Sequence, residues 1–407
     1  MATITEDKPD AGSAQPIPAL ELTVDGAILA RAAKAVAGAA DHRSTAPALT
    51  CIAIEAHVTG RVELWATDLD VRISRTINAA VNSAGGAAVA ARTFTSLSAA
   101  MAPAMVDLRL LDVGLIVETD ETRARLHSMP FEDMPTQIIA VCERMFQMPA
   151  ADLLRLFETV AHCISTEETR YYLNGIFLQR RGTVLKAVAT DGHKLAAASI
   201  ATPVDGDHAA LDRGVIVPHP VVRHLLRLLA VVPDTVPVSI EIAQQQGGAF
   251  SLVFGWEHHG ETTEVSAKAI DGTYPDYDRV IPAANDKEFI VYRSMLRRAL
   301  RTLAPAVSRQ EKGIKLMLDE SVLMIRATSI DIGELTTRVN VISTSKAEVG
   351  VNAFYLASVM DAFDCDAVIV RVLDSIGPIT LQPAHDGRPA DQQDRVSLFQ
   401  VLMPMRV

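Results

Sequence analysis

The sequence contains no run of about 18 apolar residues free of charge, which excludes an ordinary membrane-spanning helix. Its first residues also lack the basic-then-apolar pattern of a secretory signal. Both absences point to a cytoplasmic protein with no membrane partner. Cysteine is scarce: Cys51, Cys142, Cys163 and Cys365 lie far apart. That spacing fits neither a disulfide framework nor paired metal ligands, so all four are expected to be buried thiols. Catalytic signatures are missing as well. There is no G-x-x-x-x-G-K-[ST] phosphate loop, no G-x-S-x-G elbow and no H-E-x-x-H. His193 with Asp191, and the EHHGE run Glu257 to Glu261, are the nearest approaches to a catalytic or metal cluster. Neither comes with a positioned nucleophile, and the adjacent His258 and His259 would not share a helix face or a strand face. The run is read as a solvated loop, and the chain as a non-enzyme without cofactor or metal.

Positive charge is also in deficit: 38 basic against 49 acidic residues give a net charge of −11. Net charge governs solubility and loose association, whereas attraction to phosphate depends on where the cations stand. Acidity alone therefore does not exclude a nucleic-acid partner.

With 407 residues and 49% hydrophobic content, the chain can build several packed domains. Residues 1–17, rich in Ala, Pro, Asp and Glu and without periodicity, are expected to form a disordered tail. Beyond them an internal repeat dominates. RVELWATDLDVRI from Arg61, TVLKAVATDGHKL from Thr183 and SVLMIRATSIDIGEL from Ser321 each run as alternating strand, Ala-Thr, polar turn and second strand. The Ala-Thr pairs begin at Ala66, Ala189 and Ala327, intervals of domain size rather than of a solenoid unit. Each repeat carries two helix-like stretches. They begin at Asp25 and Arg92, at Ala151 and His219 (where Pro220 suits a first helical turn), and at Tyr292 and Asn352. The fold class that follows is α+β: three repeated domains, each with two helices against sheet. The domains are placed at 18–142, 143–283 and 284–407.

The cations are sorted onto those helices. Arg293, Arg297 and Arg301 recur at helical spacing beside Arg298, opposite an apolar face of Met295, Leu296, Ala299, Leu300 and Leu303. Arg223 and Arg227 stand one turn apart on the helix from His219, and Arg31 and Lys34 lie on the first helix. Any single charged helix face is ordinarily just solvated, but recurrence on successive domains suits loose, sequence-independent attraction to phosphate. The helix from Asn352 departs from the pattern, with Asp361 and no cation.

Four runs, TRYYLNGIFLQ (Thr169 to Gln179), ATDGHKLA (Ala189 to Ala196), DGTYPDYDRVIP (Asp271 to Pro282) and MPMRV (Met403 to Val407), closely resemble signature stretches of the bacterial DNA sliding clamps, the beta subunits of DNA polymerase III. They occur in the family's order, and the resemblance runs from about residue 18 to Val407. It implies three DNA-clamp domains per chain and a head-to-tail homodimer closing into a ring around duplex DNA. It also implies a processivity factor that tethers the DNA polymerase III alpha subunit, the clamp loader, and other polymerases or repair proteins through short linear peptides. The implied peptide-docking positions are Leu173, Thr190, Gly192, His193, Lys194, Leu195, Pro275, Arg279, Val280, Asn352, Tyr355, Ile376, Pro378, Val401, Met403, Pro404, Met405 and Arg406. Apolar and Met side chains there suit adaptable binding, with a few polar anchors for a peptide backbone. The same residues also fit a plain reading as core and turn. The implied DNA-facing residues are Arg43, Arg170, Tyr171 and Tyr172, to which the inward helical cations Arg223, Arg227, Arg293, Arg297 and Arg301 are added. Lys194 stands where the family usually has Arg. Pro305, Ala306 and Ala124 are small where the family often has larger apolar residues at its ring interface. A clamp-like peptide-binding module that does not close stably into a ring is the alternative.

Overall fold

A computed structural model of the chain describes residues 20–112, 114–135, 146–201, 209–244, 249–282, 285–384 and 395–407. The expected tail at 1–17 and Cys142 lie outside them. The chain forms two compact units. One comprises residues 1–137 with 259–263, the other 138–258 with 264–407.

In the first unit a five-stranded antiparallel sheet runs in the order Ala80–Ser83, Leu20–Asp25, Met105–Leu111, Gly114–Glu118, Arg123–Leu126. A second run of strands has the order Ser128–Met129, Gly85–Ala90, Cys51–Ala56, Arg61–Thr67, Val71–Asn78. The helices Gly26–Val36 and Ala91–Met101 pack together. Leu29, Ala32, Ala33, Val36 and Phe94 are fully buried, and small alanines let helix and sheet approach closely. Asp25 caps the first helix by accepting the amides of Ala27 and Ile28 at 2.8 and 3.1 Å.

The second unit is organised by an eight-stranded sheet: Val215–Pro218, Gly175–Arg181, Val184–Thr190, Lys194–Ala201, Val396–Leu402, Ile379–Pro383, Ala367–Val372, Lys287–Tyr292. Lys194–Ala201 of the second repeat and Val396–Leu402 of the third pair antiparallel from Lys194↔Leu402 to Ile200↔Val396. The two repeats thus share one continuous sheet. The helices Ala150–Ala161 and His219–Leu229 pack on each other, as do Arg293–Leu303 and Ala353–Asp361. A four-stranded sheet, Gly333–Asn340, Val322–Ser329, Gly313–Asp319, Lys346–Asn352, accompanies the latter pair. Each fully buried Leu, Ile or Phe in such a core contributes about 1.5–3 kcal/mol.

The repeated segments become hairpins: Arg61–Thr67 with Val71–Asn78, Val184–Thr190 with Lys194–Ala201, and Val322–Ser329 with Gly333–Asn340. The paired helices of each repeat also form where the periodicity places them.

Two expectations are corrected. Glu257 to Glu261 is not a solvated loop: Glu257 and His258 end one strand, His259 and Gly260 turn the chain at positive φ, and Glu261 opens the next strand. Glu261 is only 4% exposed, and its carboxylate accepts Arg31 at 2.8 Å and Arg75 at 2.5 and 2.8 Å. Burying a carboxylate is costly unless it is paired, and two guanidinium groups supply the pairing. The second correction is Cys365, which is half-buried, its thiol donating to the Ala367 carbonyl at 3.0 Å, whereas Cys51 and Cys163 are buried.

Candidate functional site

The polar turn of the second repeat is built by its own side chains. Asp191 accepts the amides of His193 and Lys194, both at 2.9 Å. Thr190 donates its hydroxyl to the Lys194 carbonyl at 2.9 Å and accepts the Gly192 amide at 3.1 Å. Gly192 sits at φ 87°, so the position needs glycine for its conformation, while a Cβ there would lie 2.6 Å from a guanidinium nitrogen of Arg170 and displace only the end of that side chain. The turn presents the exposed His193 ring against Tyr355, with centroids 5.7 Å apart and planes 25° from parallel. Burial holds the Tyr355 hydroxyl above its ordinary pKa. Asn352 places Tyr355 by capping its helix, accepting the amides of Phe354 and Tyr355.

The segment Met403–Val407 closes the arrangement. The Met403 amide donates to the His193 carbonyl and the Met405 amide to the Gly350 carbonyl, each at 2.8 Å. Beneath lies an apolar cluster of Leu173, Val188, Leu195, Ile216, Tyr274, Tyr277 and Val401. Phe177 stacks on Tyr274 at 4.7 Å. Pro275, Arg279 and Val280 are exposed at the edge of this cluster, with Arg279 paired to Asp276 at 3.0 Å. Ile376 is 78% exposed on a loop pinned by Asp374, which accepts the amides of Ile376 and Gly377. Pro378, partly buried, accepts the Asn285 side-chain amide at 3.0 Å.

The eighteen expected docking positions therefore differ in exposure. Gly192, His193, Pro275, Arg279, Val280, Ile376, Met403 and Arg406 present surface, and Thr190, Tyr355, Pro378, Pro404 and Met405 are half-buried. Leu173, Leu195, Val401 and Asn352 are buried and act through packing or capping. Lys194 is 7% exposed: its ammonium donates to the His162 carbonyl and stands 3.6 Å from Asp191. It braces the turn from below and presents no charge to a ligand. His162 beside it is held neutral, its pKa pushed down to about 4 by burial and then by the Lys194 charge, while its Nε2 faces Gln400 at 3.0 Å.

The expected DNA-facing residues are also uneven. Arg43 is exposed on the loop after the first helix. Arg170 pairs with Glu167 at 2.7 Å and turns its guanidinium toward Gly192, so it sits against the Thr190–Lys194 turn, a contact the sequence does not signal because it depends on the Gly192 loop. Tyr171 is 53% exposed and meets Tyr172 edge to face at 5.8 Å. Arg223 and Arg227 are exposed on either side of the buried His224, whose pKa is lowered to about 4 by burial and then by both arginines. On the Arg293–Leu303 helix, Arg293 donates to the carbonyls of Met360 and Asp361, and Arg297 pairs with the Asp361 carboxylate at 2.7 Å. The apparently anomalous Asp361 is thus the counter-charge of the arginine helix. Arg298 and Arg301 remain exposed. Arg31 is drawn into the Glu261 pair.

Residues 20–138, 147–276 and 278–406 match the N-terminal, central and C-terminal domains of the DNA polymerase III beta subunit. The chain belongs to the bacterial sliding-clamp family. The beta sliding clamp of Pseudomonas aeruginosa is 29% identical over 95% of this chain and 100% of its own length, and that of Escherichia coli is 27% identical over the same shares. Among solved structures, the sliding clamp of Bartonella birtlesii bound to griselimycin superposes with a TM-score of 0.85 at 28% identity, covering 95% of this chain and 100% of that one. Sliding clamps are non-catalytic processivity factors, so the chain is not an enzyme. No helix among the described residues is long and apolar enough to cross a membrane.

Proposed function

We propose that this sliding clamp acts in the cytoplasm as a head-to-tail homodimeric ring on duplex DNA. In this reading the surface formed by His193, Tyr355, Met403, Pro404, Met405 and Arg406 docks short peptides of the DNA polymerase III alpha subunit, the clamp loader and other polymerases or repair proteins. The observation that carries the docking reading is the shared sheet. Pairing of Lys194–Ala201 with Val396–Leu402 delivers Met403 to a prearranged polar turn and Met405 to the neighbouring strand at Gly350. Met repacks around different apolar anchors, while His193 and Arg406 can orient a peptide backbone.

Ring closure is supported by the sheet ends. Arg123–Leu126 and Gly333–Asn340 are terminal strands of their sheets, and both alternate exposed with less exposed residues. An open edge on one copy can receive the other edge of the next, a heterologous contact that closes when the rotation completes a circle. Ala124 and the exposed Pro305 are small there, so backbone pairing has to carry more of the contact than side-chain burial.

Calorimetric titration with a short peptide rich in Gln, Leu and Phe tests the docking site. Deleting Met403–Val407 is expected to cost several-fold or more in affinity while the protein stays folded. Equal affinity of the full-length and truncated proteins would remove the segment from the site.

A further inference from the structure

Gly350 lies in the strand Lys346–Asn352, opposite Lys315 and two residues before the capping Asn352. Its φ is outside the left-handed region, so its backbone conformation is one that any residue can adopt. What excludes a side chain is the segment above it. A Cβ on Gly350 would stand 2.1 Å from Val407 Cγ2 and 2.2 Å from the Met405 carbonyl oxygen. Across the strand pair, a Cβ on Gly313 would stand 2.9 Å from Val407 Cγ1, with Met405 Sδ at 3.7 Å. The two glycines therefore make a flat shelf on adjacent strands of the sheet, and Val407 rests on it while remaining 60% exposed. The Met405 amide bonds to the carbonyl of Gly350 itself.

We propose that Gly350 and Gly313 are positioning residues for peptide docking: the shelf sets the height at which Met403–Val407 crosses the sheet, with Val407 as the anchor that fixes Met403 and Met405 as a wall. The proposal rests on the docking surface described above. Neither glycine has a side chain to offer a ligand, so their influence runs through the segment they carry. A wall held at one end by His193 and at the other by the shelf is preorganised, and loss of either support adds an ordering cost to every binding event.

The test uses the full chain labelled at its Met methyl groups, with peptide affinity read by calorimetry and Met403 and Met405 by methyl resonances. Gly350→Ala is expected to shift both resonances and lower affinity roughly tenfold. Gly350→Ala placed in the chain lacking Met403–Val407 should cause no further loss. Gly313→Ala should give a smaller loss, because only the flexible end of Val407 obstructs it, and it should cost nothing further in a Val407→Ala chain, which has already lost the anchor. This non-additivity keeps the test open if Gly350→Ala fails to fold. Unmoved methyl resonances and unchanged affinity in a folded Gly350→Ala protein, or a Gly313→Ala loss undiminished in the Val407→Ala background, would overturn the shelf while leaving the docking surface intact. Equal affinity of the full chain and the truncated chain would instead overturn the docking surface, and the shelf's role with it.

Discussion

The Thr190–Lys194 turn and the Arg293–Leu303 helix both display polar groups on the same unit, yet they are held in opposite ways. In the turn the backbone is held by its own side chains: Asp191 takes two amides, Thr190 bridges the loop, Lys194 is tied to a helix-terminal carbonyl, and Met403 is bonded to His193. On the helix the outer cations Arg298 and Arg301 are exposed, Arg301 reaching no further than the Arg297 carbonyl of its own helix at 3.4 Å, whereas Arg293 and Arg297 are tied to the neighbouring helix. A surface that recognises short peptides has to be rigid before the ligand arrives, because ordering it on binding consumes affinity. A surface that attracts phosphate without gripping it needs only charge in the right place, and salt screens it. Damage to the first should appear as lost geometry, and damage to the second as lost charge.

The largest expected effect lies where charge is neither displayed nor part of a turn. Glu261→Ala leaves Arg75, 18% exposed, without its partner. Breaking a buried pair from one side should cost about 3 kcal/mol of stability, discounted because Arg31 is half-exposed and can turn to water. Urea unfolding would show it as a lowered midpoint, and an unchanged midpoint would place that cluster among ordinary surface charges.

Next in size is Asp191→Ala. Two amides lose their acceptor and the Lys194 ammonium keeps only the His162 carbonyl, so peptide affinity should fall by about tenfold or more and stability by about 1–3 kcal/mol. Full affinity in this variant would show that the turn is not preorganised by Asp191.

Arg298→Glu with Arg301→Glu should leave the fold intact and act only on DNA. Each lost phosphate contact flattens the log–log salt dependence by about 0.9. Arg297→Glu is the sharper comparison, because it sets a carboxylate beside Asp361 and should lower stability as well as weaken DNA association. An unaltered salt slope in the double variant would put those arginines on a surface that DNA does not meet.

The smallest effect is a pH dependence. The folded pKa of His162 is about 4 against an ordinary 6.5, so its contribution to stability is complete above 6.5 and is lost as pH falls from there toward 4, where the unfolded chain binds the proton first. His224, also at about 4, adds in the same direction. His162→Gln should flatten the decline of melting temperature between pH 6.5 and 4; an identical profile would show that burial does not disfavour its charged form.

The fold was legible wherever a local period or a repeat carried it. Alternating runs around Ala66, Ala189 and Ala327 marked the hairpins, and apolar spacing marked the paired helices, because both signals arise from neighbours along the chain. The proposed docking residues were legible only through the family's signature runs, since their juxtaposition depends on pairing Lys194–Ala201 with a strand some two hundred residues later in the sequence. What stayed hidden was the assignment of charges. Glu261 looked like loop because Arg31 and Arg75 are remote in sequence, Asp361 looked anomalous until Arg297 met it, and Lys194 looked like an anchor although its ammonium points inward. Charged side chains carry no periodic signal for their partners, so a sequence shows where charge is and not what neutralises it.

The most direct measurement of the ring is retention on DNA of different topology. Loaded onto a nicked circular duplex by a clamp loader, the protein should stay bound through gel filtration at moderate salt and be lost once the circle is cut to a linear molecule. Equal retention on both forms, or loss from both, would contradict a closed ring and leave a peptide-docking clamp fold that does not encircle its DNA.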